Sequence, residues 1–131
     1  MEVPEGLDPE VKEAYQYLLE VLGDYERYTR DIGKLGLAAP NLLYYRDEVQ
    51  EFLDILKAEG IEARDVWRKV VELDNLVRSK AQEIVDEVGH ANFKQYQVIN
   101  DPPPQHWWWF LNRTVAAPPE SPPAWQVWKR F

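Results

Sequence analysis

The stretch Asp8-Pro9-Glu10-Val11-Lys12-Glu13-Ala14-Tyr15-Gln16-Tyr17-Leu18-Leu19-Glu20-Val21-Leu22 decides the fold class. Asp8 is suited to accept backbone N–H bonds as an N-cap, Pro9 has the fixed φ of a first helical position, and Glu10 complements the positive end of the helix dipole. From there Val11, Tyr15, Leu18, Leu22, Tyr25, Thr29 and Ile32 recur at spacings of three and four, the period of one helical face. Gly33 and Gly36 supply the stop.

The same pattern repeats downstream. A second helix is expected from Pro40 to Ala58, with Leu42, Tyr45, Val49, Phe52, Leu53 and Leu56 on one side and Arg46, Glu48, Glu51 and Asp54 largely off it. A third runs near Glu62 to Val88 on the row Val66, Val70, Leu73, Val77, Ala81, Ile84 and Val88. Gly60 and Gly89 end these two helices, and the short connections make successive helices antiparallel neighbours. The expected fold is therefore all-α: an antiparallel three-helix bundle over residues 1–101. Phe93, Tyr96, Val98 and Ile99 fit either a short helix or an extended connector, and a helix over 91–99 would add a short fourth member. A second apolar row on helix 3 (Trp67, Val71, Val85) and another on helix 1 (Tyr17, Val21, Tyr28) are wider than the bundle needs. That surplus is an expected dock for the C-terminal tail.

The tail is 102–131, and with Asp101 it holds five of the six tryptophans and seven of the ten prolines. Prolines at 102–104, 118–119 and 122–123 steer the backbone towards polyproline II, making semi-rigid spacers. Between them Gln105–Arg113 is expected as one short helix, apolar nearly all round through Trp107, Trp108, Trp109, Phe110 and Leu111. Such a segment has to be enclosed or to oligomerise. Near the end, Trp125-Gln126-Val127-Trp128-Lys129-Arg130-Phe131 allows Trp125 and Trp128 to share a helical face, or Trp125, Val127 and Lys129 to share a strand face.

Composition narrows the function classes. The chain has 131 residues, 45% of them hydrophobic and 29% charged, which suits one domain with a full core. It has no cysteine, which excludes disulfides, thiolate metal sites and thiol nucleophiles. The acidic start Met1-Glu2-Val3-Pro4-Glu5 is unlike a signal peptide, so a cytoplasmic location is expected. Residues 1–101 carry 12 Lys/Arg against 22 Asp/Glu, while 102–131 carry three against one. The negative body disfavours nucleic acid and favours the tail folding back upon it.

Few motifs carry chemistry. Glu87-Val88-Gly89-His90 has the Glu-x-x-His spacing of di-iron helical bundles, but only one other histidine, His106, is available to complete a ligand set. Glu48-Val49-Gln50-Glu51 and Glu83-Ile84-Val85-Asp86 resemble the paired carboxylates of helical nucleotide pyrophosphatases of the MazG type. That resemblance implies a magnesium-dependent hydrolase. Folding about Gly60, however, separates Glu51 from Glu83 by roughly 20 Å at about 1.5 Å per residue. Arg64, Arg68 and Lys69 lie among Glu62, Asp65 and Glu72 and are expected to pair with them. Pro119-Glu120-Ser121-Pro122 has the P-x-x-P spacing of peptides read by aromatic grooves.

The sequence thus points to a non-catalytic interaction or assembly protein. Its tail and bundle present an aromatic surface, through Trp107, Trp108, Trp109, Phe110, Trp125 and Trp128, to another protein or a second copy of itself. No catalytic residue, metal ligand or cofactor is assigned. The alternatives are a peripheral membrane-interface protein anchored by the Trp/basic tail and, more remotely, a carboxylate-metal hydrolase.

Overall fold

A computed structural model describes residues 1–116. Among them are five α-helices: α1 Pro9–Arg30, α2 Asn41–Ala58, α3 Arg64–Ser79, α4 Ala81–Val88 and α5 His90–Asn100. Two 3₁₀ segments, Gly36–Ala38 and Trp107–Arg113, complete the helical structure, and the described residues contain no strand. No helix among them is long and apolar enough to cross a membrane. The regular structure of the described residues is all helical, as their periodicity requires, but three helices are too few.

α1 starts at Pro9, although the Asp8 side chain makes no capping bond and only its carbonyl is used, by the N–H of Lys12. α1 and α2 are antiparallel: Tyr17 meets Phe52 at 4.8 Å between ring centroids and Tyr28 meets Tyr45 at 5.0 Å. As numbering rises along one helix it falls along the other. α2 ends in a double hydrogen bond about Gly60, whose N–H donates to the Lys57 carbonyl at 3.0 Å while the Ile61 N–H donates to the Leu56 carbonyl at 2.9 Å. This termination requires a left-handed residue, and Gly60 has φ +75°.

The expected third helix is two helices. Its apolar row continues through Val77, Ala81, Ile84 and Val88, all buried, so periodicity alone could not reveal the interruption at Lys80. Local hydrogen bonds mark it instead. The Ser79 hydroxyl donates back to the Leu76 carbonyl at 2.7 Å, and the Lys80 ammonium leaves the helix to reach the Thr29 carbonyl of α1 at 3.3 Å. Back-bonding of this kind bends helices. Gly89 then turns the chain into α5, which contains the 91–99 stretch and buries Phe93 completely. Glu87 ties α4 to the α1–α2 connection, since its carboxylate accepts the N–H groups of Gly33, Leu35 and Gly36 at 2.7, 2.7 and 2.9 Å.

At the centre is a buried ion pair. The Arg46 guanidinium donates to both carboxylate oxygens of Asp74, from Nε at 2.9 Å and from Nη2 at 3.0 Å. The two side chains are only 3% and 9% exposed. Tyr25 of α1 adds its hydroxyl to Asp74 Oδ1 at 2.8 Å, so α1, α2 and α3 meet at one carboxylate. Burial, reinforced by the Asp74 charge, pushes the Tyr25 hydroxyl far above the ordinary tyrosine range. The placement of Arg46 off the core side of α2 is corrected here: its charge is inside because Asp74 is there to receive it.

Removing one partner leaves the other charge uncompensated. Asp74→Ala is expected to cost about 3–5 kcal/mol in urea unfolding, whereas the double change Arg46→Met with Asp74→Leu should recover most of the loss. A cost for Asp74→Ala below about 1 kcal/mol, the level of an exposed pair, would contradict this account of the core.

Candidate functional site

The first aromatic cluster of the tail sits directly over this ion pair. Residues 107–113 form two short 3₁₀ turns joined at a kink, where Phe110 leaves the helical region at φ −117° and ψ 18°. Trp108, Trp109 and Leu111 are buried, whereas Trp107, Phe110 and Asn112 are half-buried. A cluster that is apolar all round is thereby divided between core and rim.

Each ring has a defined partner. The Trp108 ring covers Arg46, with the guanidinium carbon 4.2 Å from the ring centroid, while His106 stacks on the same indole at 4.6 Å. Trp109 lies between Tyr44 and Tyr96, edge-on at 4.9 and 6.0 Å. Trp107 rests against the guanidinium of Arg78 at 4.0 Å. Stacking of this sort suits arginine, whose charge is delocalised and weakly hydrated.

The polar atoms of the buried indoles converge on one carboxylate. Asp47 Oδ1 accepts the Nε1–H of Trp108 at 2.8 Å and that of Trp109 at 2.7 Å, and the His106 ring lies 3.5 Å away. A buried indole N–H requires an acceptor, and an ionised one gives the stronger bond. Gln97 of α5 fixes the backbone from the other side, donating to the Trp109 carbonyl at 2.8 Å and to Asn112 at 2.9 Å. Nothing in the sequence singled out Asp47, one of four carboxylates on α2 with Glu48, Glu51 and Asp54.

Trp107, Trp108, Trp109 and Phe110 are therefore brought together, but against α2, α4 and α5 rather than on the surplus rows of helices 1 and 3. Trp108 and Trp109 belong to the hydrophobic core and present no surface, because their rings and N–H groups are consumed within the chain. Only Trp107 and Phe110 of this group keep an accessible edge. Trp125, Trp128 and the Pro119–Pro122 spacing lie outside the described residues. Of the surplus rows, Val21 and Val85 are buried and Tyr28 packs on Tyr45, whereas Tyr17, Trp67 and Val71 stay 44–48% exposed.

Trp67 also lines a groove of about 620 Å³ in the corner between α2 and α3, with Leu53, Leu56 and Ile61 beside it. The volume falls within the range of about 300–1,000 Å³ that small-ligand sites occupy.

The remaining motifs are engaged elsewhere. Glu87 is committed to three backbone N–H groups, and the neighbouring His90 keeps a buried Nε2 without a hydrogen-bond partner. Among the described residues no three His, Cys, Asp or Glu side chains are placed to hold a metal ion. Burial, helped by Glu51, raises the Glu48 carboxyl above its usual range. Arg64 pairs with Glu62 at 2.9 Å, Arg68 with Asp65 at 3.8 Å, and Lys69 with Glu26 and Glu72, so that basic cluster is neutralised. The sequence matches no protein-family model, and neither curated proteins nor solved structures give a match.

Asp47→Ala should strand two indole N–H groups and cost about 1–3 kcal/mol, while Asp47→Asn, which keeps an acceptor oxygen, should cost less. Urea unfolding of both variants checks the order. Equal stability of Asp47→Ala and the unsubstituted chain would remove Asp47 from its role.

Proposed function

We propose that this protein is a non-catalytic interaction or assembly module, in which the helical body and its Pro/Trp-rich tail act as one unit and offer an aromatic surface to another protein or a second copy. The observation that supports this reading is the exposure of Trp67 on a body that buries Trp108 and Trp109 completely. Trp67 is 48% exposed and Val71, one turn further along α3, is 46% exposed, beside a preformed groove. Tryptophan gives large contact area for little conformational entropy, and exposed apolar surface of this kind marks contact sites. The tail contributes its first cluster, which Asp47 pins against α2.

A charged substitution on this face separates binding from folding. Trp67→Glu with Val71→Glu should leave thermal stability nearly unchanged, since both sites are exposed. It should abolish self-association seen by sedimentation across a wide concentration range, or the stoichiometric capture of a defined partner by the unsubstituted chain. If the unsubstituted chain does neither, or if the folded variant does both equally well, the reading fails.

A further inference from the structure

We propose that the Trp107–Arg113 segment is an exchangeable element, which leaves its own body and seats its Trp108 and Trp109 over the Arg46 and Asp47 of a second copy, giving a reciprocal dimer. The joint that holds the segment in place points this way. α5 ends at Asn100, and Asp101 then takes φ 40° and ψ 57°, the one non-glycine residue with positive φ among the described residues. Two backbone preferences are broken there at once. A side chain disfavours positive φ, and a residue that precedes proline, as Asp101 precedes Pro102, is steered to extended or polyproline backbone. Strain of this kind persists only where the surroundings hold it.

What holds it is the clamp beyond the prolines. The Pro103 carbonyl accepts the His106 N–H at 3.0 Å, closing a turn through Pro104 and Gln105, and the returning chain is fastened by Gln97 from α5 and Asp47 from α2. Relaxing Asp101 to the backbone its proline neighbour favours straightens the joint and carries the cluster away from α5. The seat it vacates has lost the ring over Arg46 and both indole donors to Asp47. The same segment of another copy restores all of these contacts, so exchange sacrifices no packing and is a low-cost route to a dimer.

Tethering opposes exchange, because it holds the cluster near its own seat at a high effective concentration. Relief at Asp101 favours it, and so does new contact at the joint. Val98 and Ile99, just before the end of α5, are 83% and 64% exposed. A straightened Asp101–Pro104 spans only about 12 Å at about 3.1 Å per residue, so the two bodies have to meet at their joints. A two-fold axis there sets the Val98 and Ile99 of one copy beside those of the other, covering apolar surface that the closed chain leaves in water. Trp108 and Trp109 have to leave the core first, so the exchanged dimer forms slowly and is a separable species. This route to self-assembly is distinct from the Trp67 face and does not require it.

The absence of cysteine allows exchange to be read directly. All chains in the test carry Trp67→Glu and Val71→Glu, which disables the other face. One copy carries Gln97→Cys and the other Asn112→Cys, replacing side chains that hydrogen-bond at 2.9 Å between α5 and the segment. Unfolded together in urea, refolded at high concentration and treated with a short bismaleimide, they should give a linked heterodimer. The yield should exceed by about tenfold that from copies refolded apart and then mixed. A closed monomer cannot link, because each copy has one thiol. Position 101, changed in both copies, supplies the second arm. Asp101→Gly takes positive φ freely and should lower the yield about tenfold, one decade in the exchange equilibrium, whereas Asp101→Val, for which positive φ is least accessible, should raise it. A yield no higher than that of the separately refolded mixture, or one equal in the two position-101 variants, overturns the proposal. Neither result depends on what binds Trp67 and Val71, so failure here and failure of the interaction reading are told apart.

Discussion

A carboxylate and a guanidinium cannot be taken out of water unless each completes the other, and the placement of Arg46 against Asp74 sets the conditions for everything around it. Two of the guanidinium nitrogens are used by Asp74 and a third by Gln50, and Tyr25 supplies Asp74 with a further donor from α1. What remains is the flat face of the guanidinium. Water could cover it, but Trp108 does, at 4.2 Å. The ion pair that joins three helices is thus completed by a residue from the far side of three consecutive prolines.

The next residue on α2 closes the arrangement. Asp47 points its carboxylate at the indole N–H groups that the burial of Trp108 and Trp109 would otherwise strand. One turn of α2 therefore supplies both a cation for an aromatic face and an anion for aromatic edges. The tight first turn of this segment points consecutive tryptophans in different directions, and the kink at Phe110 ends it. The functional consequence is that the tail begins from a rigid anchor.

Much of the helical frame was legible because hydrophobic period and glycine placement agree. Leu18, Leu22 and Tyr25, Leu42 and Val49, and Val66, Val70 and Leu73 are buried where their spacing puts them, and Gly60 and Gly89 fall at helix ends. The break at Lys80 was not legible, since Val77 and Ala81 keep the same stripe on both sides of it and only the hydroxyl of Ser79 and the reach of Lys80 record the bend. Arg46 was misplaced for a different reason: a charged residue's burial is decided by a partner 28 positions away, which no local period encodes. The need to enclose Trp107–Leu111 followed from their composition, but the address of Trp108 and Trp109 did not. Surplus apolar width on α1 and α3 suggested one seat, whereas indole N–H groups selected another, where a carboxylate was available.

Hydrogen exchange at the indole nitrogens tests the central claim most directly. In ¹⁵N-labelled protein the Nε1–H of Trp108 and of Trp109 should exchange only through opening of the core, far more slowly than that of Trp67, which stands on an exposed face of α3. Exchange of Trp108 and Trp109 as fast as Trp67 would contradict an Asp47-clamped tail seated over the Arg46–Asp74 pair.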